Sequence, residues 1–238
     1  MLPVWRHRLL VVRPDVWRGI CADVQIDLDD AHTRDLVLDW ADKGWPLICR
    51  RPYESELAEI NAGGIALGLP LPPAMGKKRL GFIIPSCALS FFSGASWPCN
   101  DISSPGLTSA RLEDISLLGE LGARHGVAPE ATGSLLWETL TGLPYLSETS
   151  DFDVMWRLPA SKLEDQEGLS AFLSDLDHTA RKLSVSLDGE VIFPDGRAVQ
   201  WQELHSARPD DEVLVKNLTS VALVQVRTLA GLWGRLPA

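Results

Sequence analysis

The sequence predicts an α+β protein in two parts: a small N-terminal α/β unit, then a C-terminal unit with a mixed sheet flanked by helices. Three observations carry that reading. Apolar residues recur at helical spacing over 29–44 and 109–126 but alternate over 150–158 and 184–196. Between 93 and 108, "SGASWPCNDISSPGLT" is rich in Ser, Gly, Pro and Asn and shows neither period. That stretch marks a boundary or a long connection, and we divide the chain into 1–100 and 101–238. Finally, 238 residues with 45% hydrophobic against 23% charged side chains suffice for two small cores and lie outside the disordered range.

In the first part, "DDAHTRDLVLDWADKG" (29–44) has acidic residues at its start, apolar residues near helical spacing and a terminal glycine, which predict a helix. "WPLICRRP" follows as a short buried strand between two prolines. "YESELAEINAGG" reads as a helix stopped by Gly63 and Gly64, "LGLPLPP" as an extended loop, and "KKRLGFIIP" as a strand.

The second part opens with a helix over "SARLEDISLLGELGARHG", capped by Thr108 or Ser109 and ended by Gly126. "VAPEAT" is a poor strand, because Pro129 removes a ladder donor. A helix in "GSLLWETLTGLP" starts behind Gly133 and Ser134, the strand "SDFDVMWRL" comes next, then a helix in "GLSAFLSDLDHTARKL". "SVSLDGEVIFPDG" predicts an alternating strand with a turn at its end and "AVQWQEL" its hairpin partner; the tail from Glu212 to Trp233 reads as a strand followed by a helix. No internal repeat is present.

No window of about 18 uncharged apolar residues exists, and the start "MLPVWRHRLLVVRPDVW" interrupts every apolar run with Arg or Pro. Neither a membrane span nor a secretory signal is expected, which points to the cytoplasm. Cys21, Cys49, Cys87 and Cys99 show no C-x-x-C pairing and no metal-ligand spacing with the histidines, so reduced thiols are expected. A net charge of −10 argues against a nucleic-acid partner, since nonspecific binding rests on a basic surface. A polyanionic ligand therefore needs a local basic site. Arg50 and Arg51 in "CRRP", and Lys77, Lys78 and Arg79 in "GKKR", are the candidates; the first arginines, Arg6, Arg8, Arg13 and Arg18, add to the basic bias of this end.

The strongest chemical signal is "SDFDVMWR" (150–157). On a strand, side chains at i and i+2 leave the same face, so Asp151 and Asp153 project together about 7 Å apart while Phe152 points the other way. Two carboxylates side by side repel unless a cation lies between them, and a divalent metal with phosphate meets that need. A strand end facing water is the ordinary alternative. A third carboxylate from an adjacent strand usually completes such a site; in "SVSLDGEVIF", Asp188 is the first choice and Glu190 the reserve, because Gly189 could mark a turn or bulge. Gly133 would let the backbone approach a phosphate, with the helix-start amides and the Ser134 hydroxyl as hydrogen-bond donors. Gly-Ser before a helix, Asp-x-Asp on a strand, a helix, then another acid-bearing strand is the order nucleotidyl transfer needs.

The stretches "WRHRLLVV", "GWPLICRRP", "LGLPLPPAMGKKRLGF", "GSLLWETLTGLPYLSETSDFDVMW" and "SLDGEVIFPDGRAVQWQEL", spanning nearly the whole chain, resemble the phosphoribosyl-dephospho-CoA transferases of malonate decarboxylase systems, the malonate decarboxylase holo-acyl-carrier-protein synthases. The resemblance implies a C-terminal domain of the polymerase-β nucleotidyltransferase type. It also implies a donor, triphosphoribosyl-dephospho-CoA; an acceptor serine on the malonate decarboxylase acyl-carrier protein; pyrophosphate as product; and Mg2+, or Mn2+ in its place, as cofactor. Asp151 and Asp153 match the metal-binding aspartates of that family, and Gly133 with Ser134 its phosphate-contact motif. The sixteen residues between Ser134 and Asp151 exceed the usual nucleotidyltransferase spacing, though the resembled family carries the same "LTGLPYL" insertion. A non-catalytic carrier-binding subunit, or a nucleotidyltransferase with another acceptor, are the competing readings.

Overall fold

A computed structural model describes residues 5–23, 30–94, 97–98, 104–163 and 166–229. The chain divides into two compact units, Met1–Gly94 and Ala95–Ala238.

The first unit contains β1 (Leu9–Val12), α1 (Pro14–Asp23), α2 (Ala31–Leu38), β2 (Leu47–Cys49), α3 (Leu57–Asn61), β3 (Gly64–Pro70), β4 (Arg79–Pro85) and β5 (Leu89–Phe91). Its strands form an antiparallel sheet in the order β4-β3-β2-β1-β5. Pro14 opens α1, where its missing N–H costs nothing. Asp30 caps α2 by accepting from the Thr33 amide at 2.9 Å. Trp17, fully buried, joins the layers: its indole donates to the Val37 carbonyl at 2.8 Å, and its ring meets Phe82 of β4 edge-on at 4.8 Å. A buried indole needs such a partner for its N–H, so Trp17 fixes the helices as well as filling space.

The second unit contains α4 (Ser109–His125), β6 (Pro129–Thr132), α5 (Gly133–Thr141), β7 (Phe152–Arg157), α6 (Gln166–Ala180), β8 (Leu187–Ile192), β9 (Ala198–Gln200), α7 (Trp201–Ser206), β10 (Glu212–Lys216) and β11 (Val221–Gln225). Thr108 caps α4, and Gly126 ends it in the left-handed conformation. The six strands form one mixed sheet in the order β11-β10-β9-β8-β7-β6. Neighbours β7 and β8 run parallel, as a connection through α6 requires, and the other pairs are antiparallel. Phe152, Val154 and Trp156 of β7 are fully buried, and Trp156 meets Phe172 of α6 edge-on at 5.4 Å. By alternation the other face of β7 carries Asp153, Met155 and Arg157. The α+β class and the mixed sheet with flanking helices are as expected.

Four local expectations are corrected. "LGLPLPP" is not a loop: Leu67 to Pro70 belong to β3, with Leu67 and Gly68 paired to both β2 and β4, Gly68 opposite Gly81 and Pro70 at the strand end. "VAPEAT" does supply a strand, because β6 is at the sheet edge with Pro129 first in it, where no ladder donor is missed. "AVQWQEL" is strand only to Gln200 and turns helical at Trp201. The tail forms the β10–β11 hairpin, turned by Asn217, whose side chain accepts from the Thr219 and Ser220 amides at 2.8 and 2.6 Å; the end of its expected helix lies outside the described residues.

Cys21 and Cys49 are buried, and burial pushes their thiols up to about 11 and about 12. Cys87 is exposed, and Cys99 lies outside the described residues. Among the described residues no helix is long and apolar enough to cross a membrane.

Candidate metal and phosphate site

The register of β7 on β8 decides the chemistry. It sets Asp153 directly opposite Asp188, with Asp151 one residue before β7 begins. One carboxylate oxygen from each of the three lies within 4.8 Å of the others. Asp151 is exposed and the other two are half-buried. Three carboxylates this close repel one another strongly unless a cation lies among them. Hard oxygen donors with no nitrogen or sulfur suit Mg2+ or Mn2+ rather than a thiophilic metal, so the residues fit the expected cofactor.

Asp188 is held by one oxygen. Its Oδ1 accepts from the Gly189 amide at 2.8 Å and from Gln200 Nε2 at 3.1 Å. Glu190, the reserve, lies outside the cluster and pairs with Lys216 Nζ at 3.0 Å. Gly189 is neither a turn nor a bulge, since the ladder runs unbroken from Phe152↔Leu187 to Arg157↔Ile192. Glycine is needed there for another reason: a Cβ would collide with the Val154 carbonyl of β7.

Gly133 and Ser134 join the same place. Thr132 pairs with Asp153, and the chain turns from β6 into α5 at Gly133 with no intervening loop. The turn requires a φ of 58°, and a Cβ at 133 would run into the Asp153 carboxylate. The amino end of α5, with half-buried Ser134 in its first turn and no side-chain cap from Thr132, lies beside the acids.

The basic candidates belong to the first unit. Arg50 is committed there: it donates to Glu56 at 2.6 and 2.8 Å, to the Leu67 carbonyl at 3.1 Å and to the Arg51 carbonyl at 3.1 Å, under the Tyr53 ring. The bonds from Arg50 hold the Glu56 carboxyl below the usual range and give Arg50 a structural task in this unit. Arg51 is exposed, as are Lys77, Lys78 and Arg79 at the turn between β3 and β4, where Lys77 adopts a φ of 54°. Of the N-terminal arginines, Arg18 is bidentate to Asp42 and Arg8 stacks on Trp5 and Phe91.

Reasoning from sequence missed Gln200 and three buried charges: Arg111 and Asp114 on α4, and Glu138 on α5. Glu138 accepts from the Gly106, Tyr145 and Leu146 amides at 2.8, 2.9 and 2.6 Å and from the Ser104 hydroxyl. A charged residue at an apolar helical position was the available signal for Asp114 and Glu138; for Gln200 there was none.

Known proteins match both halves of the chain. The family description "phosphoribosyl-dephospho-CoA transferase MdcG N-terminal domain" matches residues 5–90, and its C-terminal counterpart matches residues 103–227. The chain is similar to a protein named phosphoribosyl-dephospho-CoA transferase in Bradyrhizobium diazoefficiens, 33% identical over 93% of this chain and 90% of that protein. Proteins of the same name in Xanthomonas euvesicatoria (30% identical, 94% of this chain and 99% of that one) and Xanthomonas campestris (33%, 74% and 77%) are also similar. No solved structure matches. With both halves matched in order and the acids of the second brought together by strand register, the chain belongs to the phosphoribosyl-dephospho-CoA transferase family.

Proposed function

We propose that this transferase moves the phosphoribosyl-dephospho-CoA group from triphosphoribosyl-dephospho-CoA to a serine hydroxyl of the malonate decarboxylase acyl-carrier protein, in the cytoplasm. The serine oxygen forms a bond to the ribose-linked phosphorus, the bond from that phosphorus to the pyrophosphate oxygen breaks, and the serine proton leaves. Products are a phosphodiester-linked carrier and pyrophosphate. The observation that carries this reading is the gathering of Asp151, Asp153 and Asp188 beside the amino end of α5.

Asp151, Asp153 and Asp188 would hold Mg2+ or Mn2+, which when bound neutralises charge on the donor's phosphates and on the departing pyrophosphate. The chain's own residues do the positioning. Amides at the start of α5 and the Ser134 hydroxyl bind phosphate oxygens, and Gly133 allows the close approach a side chain would block. Gln200 and the Gly189 amide orient Asp188 through Oδ1. A carboxylate of the cluster takes the serine proton.

The test combines the chain with apo-carrier, donor and Mg2+ and follows pyrophosphate release together with the mass of the carrier. The expected result is stoichiometric pyrophosphate and a mass increase on one serine. Asp153→Asn should abolish both while leaving circular dichroism unchanged. Carrier binding without pyrophosphate would instead make the protein an assembly subunit, and release of pyrophosphate without modified carrier would point to another acceptor.

A further inference from the structure

Arg111 and Asp114 lie one turn apart on α4 and are 6% and 3% exposed. Among the described residues neither takes part in an ion pair. A buried charge without a counter-charge is costly, so hydrogen bonds must compensate for both. One partner, Gly106, lies just ahead of α4 itself; the others, Ser147, Ser150 and Ser184, are on the two segments that lead into the acid-bearing strands β7 and β8.

Arg111 Nη2 donates to the Ser147 carbonyl at 2.5 Å and more weakly to the Ser150 carbonyl at 3.4 Å; Nη1 donates to the Gly106 carbonyl at 2.8 Å. Ser147 and Ser150 are the two ends of one tight turn, in which the Ser150 amide donates to the Ser147 carbonyl at 3.2 Å. Asp151 comes next, outside the strand ladder and exposed, so that turn sets where its carboxylate stands. Asp114 does the same for the other strand. Its carboxylate accepts from the Ser184 amide at 3.0 and 3.1 Å and from the Ser184 hydroxyl at 2.6 Å, four residues ahead of Asp188. The Phe152 amide, donating to the Ser186 carbonyl at 2.9 Å, ties the two entrances together.

We propose that Arg111 and Asp114 are positioning residues of the acid cluster. One turn of α4 grips the chain just ahead of Asp151 and just ahead of Asp188, and so sets their separation and the cluster's affinity for a divalent cation. Charge-assisted bonds are short and stiff, which suits a ruler better than neutral bonds would. The inference rests on the cation-binding reading of the cluster given above.

The experiment titrates Mn2+ into the full chain, following free Mn2+ by electron paramagnetic resonance, for the unaltered protein, Arg111→Lys, Asp114→Asn and Ser184→Ala, with a Tm for each. Arg111→Lys and Asp114→Asn should raise the Mn2+ Kd about 10-fold or more, the range seen when outer-shell partners of metal ligands are removed. Ser184→Ala, which loses only the hydroxyl bond, should move it less in the same direction. The Mg2+ concentration for half-maximal rate should shift in parallel while the donor KM stays constant. Variants with a lowered Tm but an unaltered Mn2+ Kd would show that α4 serves stability alone and overturn the proposal. Should the two charged-site variants not fold, an unchanged Kd in Ser184→Ala overturns it. Failure of the unaltered protein to bind Mn2+ overturns the cation-binding reading itself, and this inference with it.

Discussion

Gly133 stands at a φ of 58° with its Cα against the Asp153 carboxylate, so two independent constraints meet in one residue. A left-handed backbone costs a non-glycine residue roughly 1–2 kcal/mol. The added methyl would also displace an acid of the cluster. Gly133→Ala should therefore lower Tm modestly and lower kcat on the order of 100-fold, since displacement of a reacting group by about 1 Å has that effect. A variant that loses stability but keeps kcat would separate the conformational constraint from the steric one. Gly189 is a second such position: its missing Cβ lets β8 approach the Val154 carbonyl, and the register that pairs Asp153 with Asp188 depends on that approach.

At the scale of elements, the connection from α5 to β7 is ordered by burial of a charge. Glu138 is fully buried and takes hydrogen bonds from Ser104, Gly106, Tyr145 and Leu146, binding the "GLPYL" segment to the approach of α4. Glu138→Gln presents an NH2 group to backbone amides that need an acceptor. Loss of charged hydrogen bonds at a buried site predicts a destabilisation on the order of 3 kcal/mol, measurable by urea denaturation. An unchanged midpoint would show that water reaches the site and replaces the carboxylate. The long spacing between Ser134 and Asp151 is thus a folded connection, pinned over its last residues by Glu138 at Tyr145 and Leu146 and by Arg111 at Ser147 and Ser150.

At the scale of the whole molecule, a chain of net charge −10 handles a polyanionic donor, which long-range electrostatics opposes. Lys77, Lys78 and Arg79 are exposed on the first unit, whereas Arg50 is neutralised by Glu56. Replacing Lys77 and Lys78 together by Ala should raise the donor KM several-fold without changing Tm, and the difference from the unaltered protein should shrink as salt is added. An unchanged KM would remove these cations from donor recognition.

The sequence alone determined the α+β class, the Asp-x-Asp pair and the Gly-Ser helix start, because each is carried by residues close in the chain and by a period of two or 3.6. Its errors fell where a neighbour outweighed local preference: Leu67 and Gly68 look like a loop until β2 and β4 pair with them on both sides, and Pro129 breaks a strand only where a ladder donor is needed. The sequence ranked Asp188 ahead of Glu190, but no local period separates them, since both leave the same face of β8; pairing with Asp153 selects one and Lys216 takes the other. The partners of Arg111 and Asp114 were unreadable for the same reason. Hydrogen-bond partners tens of residues away exist only after the sheet and α4 have packed, and no period in the chain encodes them.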